Sequence, residues 1–338
     1  MGVMTPATLV WLVTVVAAYP TPANVRAATD RALPLLVKAA QGHIEKQTCF
    51  ACHNQALPML AFHAARRQGF TFKDDDIKEQ TDFIADFLGR NKTKFKKGEG
   101  TGGQVDTAGY ALFTLELGGY KPDEITAAVA EFMLKYQADK DHWRVTSNRP
   151  PSEASNFTTN YLALRGLRVF GTADQKEAIA KRRDAVREWL LKTPAKDTED
   201  RVFRLLALKE AGAKDDAIRE AAQALAKSQR PDGSWGQLDD KPGDAYATGS
   251  ALLALHEAGG LLPTDPAYRR GLWFLLRSQH ADGTWEIKSR SKPFQPYYES
   301  GFPYGADQFI SATASGWATA ALAAACEPAV RGLANPPR

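Results

Sequence analysis

The chain has 338 residues, of which 44% are hydrophobic and 24% are charged, and it carries a formal net charge of +4. This composition is that of a globular protein with room for one large domain or two small ones. The net charge is slight and no basic face with interleaved aromatic residues is present, which argues against a nucleic-acid partner.

An apolar run occupies residues 7–18 and is followed by two prolines, Pro20 and Pro22. The run is too short to span a bilayer as a helix and has the length of a signal-peptide core, with cleavage after Ala18 or Ala23. No Lys or Arg precedes it, so a retained anchor or a buried helix is the alternative. We predict a signal peptide at residues 1–23 and export to the periplasm, with membrane association only if the segment is retained.

Two of the three cysteines occur in a C-x-x-C-H sequence, formed by Cys49, Cys52 and His53. This spacing is the attachment signature of a c-type haem, in which both sulfurs bond the porphyrin and the imidazole binds the iron. We expect residues 49–53 to be helical, because a helical turn would bring the three side chains to one face. The alternatives are half of a zinc site, which needs two more ligands, and two buried cysteines beside a chance histidine.

Self-similarity with a period of about 40 to 55 residues predicts a series of helical hairpins. In each unit an amphipathic helix, a polar loop and a more apolar helix follow one another. The amphipathic helices are expected near residues 25–44, 75–90, 123–137, 174–192, 214–229 and 265–279. The apolar helices are expected to begin at Thr48, Val105, Asn156, Thr198, Asp244 and Asp307. Six half-exposed and six buried helices predict an all-α (α/α)6 toroid over residues 24–330, with residues 331–338 as a tail.

A second phrase recurs between the two helices of a hairpin. Residues 229–235 read Q-R-P-D-G-S-W, residues 279–285 read Q-H-A-D-G-T-W, and residues 137–143 keep the Gln and the Trp. The Asp-Gly pair is typical of a turn, and the Trp can pack back onto a helix end.

With these Q-x-x-D-G-x-W repeats the chain resembles the terpenoid cyclase and protein prenyltransferase superfamily. It is most similar to small exported bacterial members, some of which carry a C-x-x-C-H. The resemblance covers about residues 30–326. It implies the (α/α)6 barrel and leaves the function open, because this fold serves cyclases, prenyltransferases and non-enzymatic domains.

All inner helices of such a toroid run parallel, so their N-termini meet at one mouth. Asp106 and Asp244 begin inner helices there, and N-capping is the alternative to a catalytic role for both. The resemblance puts Tyr246 at the proton-donating position of the cyclases' D-x-D-D segment, where a phenol with a reference pKa of about 10 is a poor acid. Glu153, in a rim loop, is the remaining candidate acid, and a solvated charge is its alternative. A cyclase is therefore the least favoured function, and the lack of a further cysteine near the mouth disfavours a zinc prenyltransferase.

Residues 286–306 form a connection long enough to suggest a function. Its aromatic residues either cover a haem edge or an apolar ligand, or they fix the loop onto the rim. They are Phe294, Tyr297, Tyr298, Phe302 and Tyr304. The glycine-rich stretch 92–104 is read as a lid or a linker.

The face of the iron opposite His53 is either open or closed by a residue from a mouth loop. Met59 and His63 lie further along the same helix and move away by about 1.5 Å per residue. The candidates are His280, His142 and His43, with His280 favoured because ring closure sets the sixth hairpin beside the first.

These observations favour an exported protein with one covalent haem c at the mouth of the toroid. The expected function is redox, with a redox partner protein or with a small or apolar ligand held in the barrel. The main alternative is a haem-based binding or sensing module without turnover.

Overall fold

The computed structural model describes residues 20–293 and 296–326. The predicted signal-peptide core at residues 7–18, Phe294 and the tail 331–338 lie outside these residues. Within them the chain forms thirteen α-helices and no β-strand. None of these helices is long and apolar enough to cross a membrane.

The helices follow the predicted hairpin pattern, with one short helix added in the stretch 92–104. In chain order they are α1 (Pro22–Lys46), α2 (Leu57–Arg67), α3 (Asp74–Arg90), α4 (Lys92–Lys97), α5 (Val105–Leu117), α6 (Glu124–Lys135), α7 (Asn156–Phe170), α8 (Lys176–Lys192), α9 (Thr198–Glu210), α10 (Asp215–Lys227), α11 (Ala245–Glu257), α12 (Pro266–Ser278) and α13 (Gln308–Ala324).

Helices α2, α5, α7, α9, α11 and α13 each contact the next in this order, and α13 contacts α2, which closes the ring. Helices α1, α3, α6, α8, α10 and α12 pack outside it. The predicted all-α toroid is confirmed.

The inner helices approach one another closely because small residues stand at their crossings. A Cβ atom on Gly249 of α11 would lie 2.6 Å from the backbone nitrogen of Ala318 in α13. A Cβ atom on Gly316 of α13 would lie 2.7 Å from the carbonyl oxygen of Leu57 in α2. A side chain at either position would push two inner helices apart, so glycine is required where α13 closes the ring.

The Q-x-x-D-G-x-W turns at residues 229–235 and 279–285 each join their hairpin to the next one. The Trp235 indole is fully buried, and its Nε1 donates to the Leu225 carbonyl oxygen at 2.9 Å. Trp285 makes the same bond within the sixth hairpin. The Gln279 amide donates to the carbonyl oxygen of Ala28 in α1 at 2.8 Å, so this turn also closes the ring.

The structure differs from the sequence prediction at the C-x-x-C-H. Residues 49–51 are not helical, and a π-helical turn at Cys52–Ala56 leads into α2. The cause is local. The Gln55 side-chain oxygen accepts the Ala51 backbone amide hydrogen at 3.0 Å, and the Gln55 backbone amide donates to the Ala51 carbonyl oxygen. The predicted single helical turn over residues 49–53 is therefore wrong.

We expect Trp235→Ala to lower the free energy of unfolding by about 3–5 kcal/mol, because it removes a fully buried indole together with its hydrogen bond to the Leu225 carbonyl. Urea denaturation followed by circular dichroism measures the change. Leu262→Ala, at a side chain that is 57% exposed, is the control and should change stability by less than about 0.5 kcal/mol. A loss below about 1 kcal/mol for Trp235→Ala would show that the turn does not hold the hairpin.

Candidate functional site at the barrel mouth

Two adjoining cavities open where the inner helices begin. The mouth lobe, of about 740 Å³, is bordered by the C-x-x-C-H segment, the glycine-rich stretch and residues 147–149. The loop lobe, of about 470 Å³, lies against residues 289–293 and 296–298 and the start of α13. The residues that line both lobes are Cys52, His53, Arg149, Glu153, Lys292, Pro293 and Tyr298.

A buried carboxylate stands where the two lobes meet. Glu153 is 8% exposed, accepts a hydrogen bond from the Cys52 thiol at 2.8 Å and is ion-paired with Arg149. Burial raises the pKa of Cys52 well above its ordinary value, and the Glu153 charge adds to the rise. Cys52 is therefore a thiol at neutral pH and a poor nucleophile.

A second carboxyl, Asp106 in the first turn of α5, is 2% exposed. Its Oδ1 accepts a hydrogen bond from the Thr159 hydroxyl, whereas its Oδ2 has no partner among the described residues. Burial raises the pKa of Asp106 to about 7, the Thr159 hydrogen bond opposes the rise and the Glu153 charge adds to it. Asp106 thus keeps a proton for part of the time at neutral pH.

A third carboxyl, Glu199, was not singled out from the sequence. It is 5% exposed and accepts hydrogen bonds from Thr158 at 3.0 Å and from the Tyr246 hydroxyl at 3.1 Å. Burial raises the pKa of Glu199 well above its ordinary value. The sequence signal that could have found Glu199 is the acidic pair Glu199-Asp200 at the start of α9. The second member of the pair, Asp200, accepts hydrogen bonds from the Ser155 hydroxyl and the Lys196 backbone amide.

Two of the candidate catalytic residues have structural partners. Asp244 caps α11 by accepting the Ala247 amide hydrogen at 2.9 Å, and burial raises the pKa of Asp244 to about 6. Burial raises the pKa of Tyr246 well above its ordinary value, and the Glu199 charge adds to the rise. The phenol of Tyr246 is therefore a weaker acid than a free tyrosine.

His53 lines both lobes with its ring centroid 4.7 Å from that of Phe309. Burial lowers the pKa of His53 to about 3, so its imidazole is neutral. His43 also lines the mouth lobe, but its Nδ1 lies 2.6 Å from the Tyr298 hydroxyl and its Nε2 lies 2.7 Å from the Cys49 carbonyl oxygen. Both nitrogens of His43 are therefore engaged.

The other two histidines of interest are not brought to the cavity. The ring of His142 stacks on Trp189 at 4.2 Å, and its Nδ1 bonds Asp141. His280 packs against Tyr304 at 5.7 Å. Neither is among the residues that line the two lobes, because the Q-x-x-D-G-x-W turns bond outer helices at the periphery of the ring.

A family model described as the squalene-hopene cyclase C-terminal domain matches residues 163–334, just over half of the chain. The chain belongs to this family. The superfamily predicted from the repeats is thereby confirmed, whereas the exported, haem-bearing subgroup stays a prediction.

Two curated relatives cover parts of this squalene-hopene cyclase family member. A squalene–hopene cyclase of Bradyrhizobium diazoefficiens is 38% identical over 112 residues, which are 29% of this chain and 16% of the relative. A drimenyl diphosphate synthase of Streptantibioticus cattleyicolor is 29% identical over 203 residues, which are 56% of this chain and 37% of the relative. The chain spans well under half the length of either relative.

Solved structures share the fold over nearly the whole chain. The type II terpene cyclase MstE from Scytonema superimposes with a TM-score of 0.57 at 14% identity, covering 90% of this chain and 98% of that one. A protein from Actinoplanes superimposes with a TM-score of 0.55 at 13% identity, covering 89% of this chain and 99% of that one. At these identities the likeness concerns the fold alone.

The prediction that the main function is that of a haem redox protein is wrong, because the matching family model and a curated relative are those of squalene–hopene cyclases. The sequence analysis ranked the cyclase lowest on one aligned position, Tyr246. That one position does not exclude a cyclase, since Asp106, Glu153 and Glu199 are buried carboxyl groups at the same end of the barrel.

Asp106→Asn should stabilise the protein at pH 8. The folded-state pKa of about 7 lies above the ordinary 3.8, so the folded state binds more protons than the unfolded state between those values. The contribution of Asp106 to stability therefore falls as the pH rises through this window. Asparagine keeps an acceptor for Thr159 and removes the charge.

Urea titrations from pH 4 to pH 8 measure the effect. The gain at pH 8 is expected to be about 4 kcal/mol at most and to shrink towards pH 4. Asp86→Asn, at an exposed carboxylate, is the matched control and should change stability by less than about 0.5 kcal/mol. A gain that is independent of pH, or a loss at pH 8, would contradict a raised pKa of Asp106.

Proposed function

We propose that this protein is a proton-initiated cyclase that acts on an isoprenoid at the barrel mouth. The observation that carries the proposal is Asp106, a buried carboxyl at the start of an inner helix that holds a proton near neutral pH in a family of cyclases. An alkene accepts a proton only from an undissociated acid that is kept away from water. Asp106 meets both conditions.

Asp106 and Glu153 act together as the acid that protonates the substrate. Glu153 borders both lobes and therefore faces a bound substrate, whereas Asp106 lines neither lobe. Burial raises the pKa of Asp106 to about 7 and the Glu153 charge adds to the rise, so Asp106 carries a proton part of the time at neutral pH. In the reaction this pair gives its proton to a terminal double bond and receives one back when the final carbocation loses a proton to form an alkene.

The loop lobe suits the hydrocarbon and the cations formed from it. Its wall includes the apolar side chains Phe309 and Ile310, three prolines and Tyr298. Aromatic faces attract cations, and an apolar wall keeps water from trapping them. Successive double bonds then donate their electron pairs to the cation, and carbon–carbon bonds form without any change in overall oxidation state.

The barrel axis favours a short substrate. Beyond the carboxyl groups, the cavity bordered by Tyr110, Phe113, Tyr161, Phe203 and Trp317 has a volume of only about 10 Å³. A chain bound at the mouth therefore does not pass down the axis. We expect squalene to be returned unchanged and a shorter isoprenoid to be cyclised.

The test is incubation of the purified full chain with farnesyl diphosphate, geranylgeranyl diphosphate, geranylgeranyl dihydroxybenzoate and squalene, with mass spectrometry of the products. At least one of the first three should give a cyclised isomer. Asp106→Asn should lower its rate by about 10²-fold or more, because general-acid catalysis contributes this much. Asp86→Asn should keep the wild-type rate.

Unchanged isoprenoids throughout the panel would contradict the proposal, and so would a wild-type rate in folded Asp106→Asn. Because this variant is expected to be more stable than the wild type, loss of activity cannot be attributed to unfolding.

A further inference from the structure

The proposed cyclase chemistry uses the loop lobe and the carboxyl groups and leaves the C-x-x-C-H unexplained. We propose that the mouth lobe is the attachment site of one haem, bound covalently through Cys49 and Cys52, with Nε2 of His53 as the iron ligand. This site does not rest on the cyclase proposal, and no electron-transfer role is attached to it.

The three groups border one cavity of suitable size. Cys49, Cys52 and His53 all line the mouth lobe, although they do not form one helical turn. Its volume of about 740 Å³ lies within the range of about 300–1,000 Å³ that is usual for ligand and cofactor pockets. Both cysteines are free thiols, so neither is committed to a disulfide.

The imidazole of His53 is available for a metal. Its Nδ1 lies 3.9 Å from the Cys52 sulfur, and within the described ranges its Nε2 makes no hydrogen bond. The contact with Phe309 restricts the orientation of the ring. A held, neutral imidazole with one unpartnered nitrogen beside two thiols is the donor set that a c-type haem uses.

The polar wall of the mouth lobe suits the two propionates of a haem. Lys94 and Lys292 line this lobe and form no ion pair with other described residues. Arg149 adds a third positive charge, which pairs with Glu153. The two haem propionates bound here would form ion pairs with the ammonium groups of Lys94 and Lys292 near the solvent.

The attachment step is balanced without an oxidant. Each S–H adds across one vinyl double bond of the haem, forming an S–C bond at the carbon next to the ring. The thiol hydrogen goes to the terminal carbon, and the vinyl π bond is lost. Cys52 exchanges its hydrogen bond to Glu153 for its new bond.

The opposite face of the iron is expected to stay open. His43 is the other histidine on the mouth lobe, and both of its nitrogens are engaged by Tyr298 and by the Cys49 carbonyl. His142 and His280 do not line the lobe. We therefore expect no second histidine of the chain to bind the iron, in place of the predicted ligation by His280.

The test is to produce the full chain together with bacterial haem-attachment machinery and to measure intact mass after denaturation. The wild type should carry the mass of one haem. Cys49→Ser with Cys52→Ser should carry none, and each single variant should keep a haem on one sulfur in lower yield. Cys326→Ser, which changes the remaining cysteine in α13's C-terminal flank, should carry haem as the wild type does.

Wild-type protein without haem, from cells that mature a control cytochrome c, would overturn the site. Equal haem in the double variant would overturn it as well. For the reduced wild-type protein, carbon monoxide should change the absorption spectrum, and an unchanged spectrum would overturn the open iron face. Cyclisation assayed on the folded double variant reports separately on the proposed function.

Discussion

The parallel arrangement of the six inner helices is the constraint on which the rest of the structure depends. Each helix start needs polar groups for its free amide hydrogens, and a closed ring brings all six starts together. Because the ring is packed on both sides, some of these polar groups lose contact with water. Asp106, Glu153 and Glu199 are three carboxyl groups buried at or just before such starts, where they accept hydrogen bonds from neighbouring side chains, and Arg149 is ion-paired with Glu153.

Holding these carboxyl groups in the interior lowers the stability of the fold. The turns that bury Trp143, Trp235 and Trp285 and the close crossing of α13 with α2 and α11 offset that cost. Selection for stability alone would replace Asp106, because an asparagine can accept the same hydrogen bond from the Thr159 hydroxyl without burying a charge. Buried acids with raised pKa values beside a cavity are a frequent mark of catalytic sites.

The fold was predictable because its signals are local. Helical periodicity gave all six hairpins, and the recurring Gln, Asp-Gly and Trp residues marked the turns between helices. The site was only partly predictable, since one residue changes direction by about 100° on a helix. Glu199 points into the barrel while Asp200 bonds Ser155. The non-helical start of the C-x-x-C-H depends on a side-chain bond from Gln55, for which the sequence carries no pattern.

The infrared absorption of the Asp106 carboxyl group tests the buried proton most directly. The C=O stretch of a protonated carboxyl should lose intensity with a midpoint near pH 7 in the wild-type protein. The same spectral change should be missing from Asp106→Asn and present in Asp86→Asn. A wild-type protein in which no carboxyl group titrates between pH 6 and pH 8 would contradict an acid held ready at the barrel mouth.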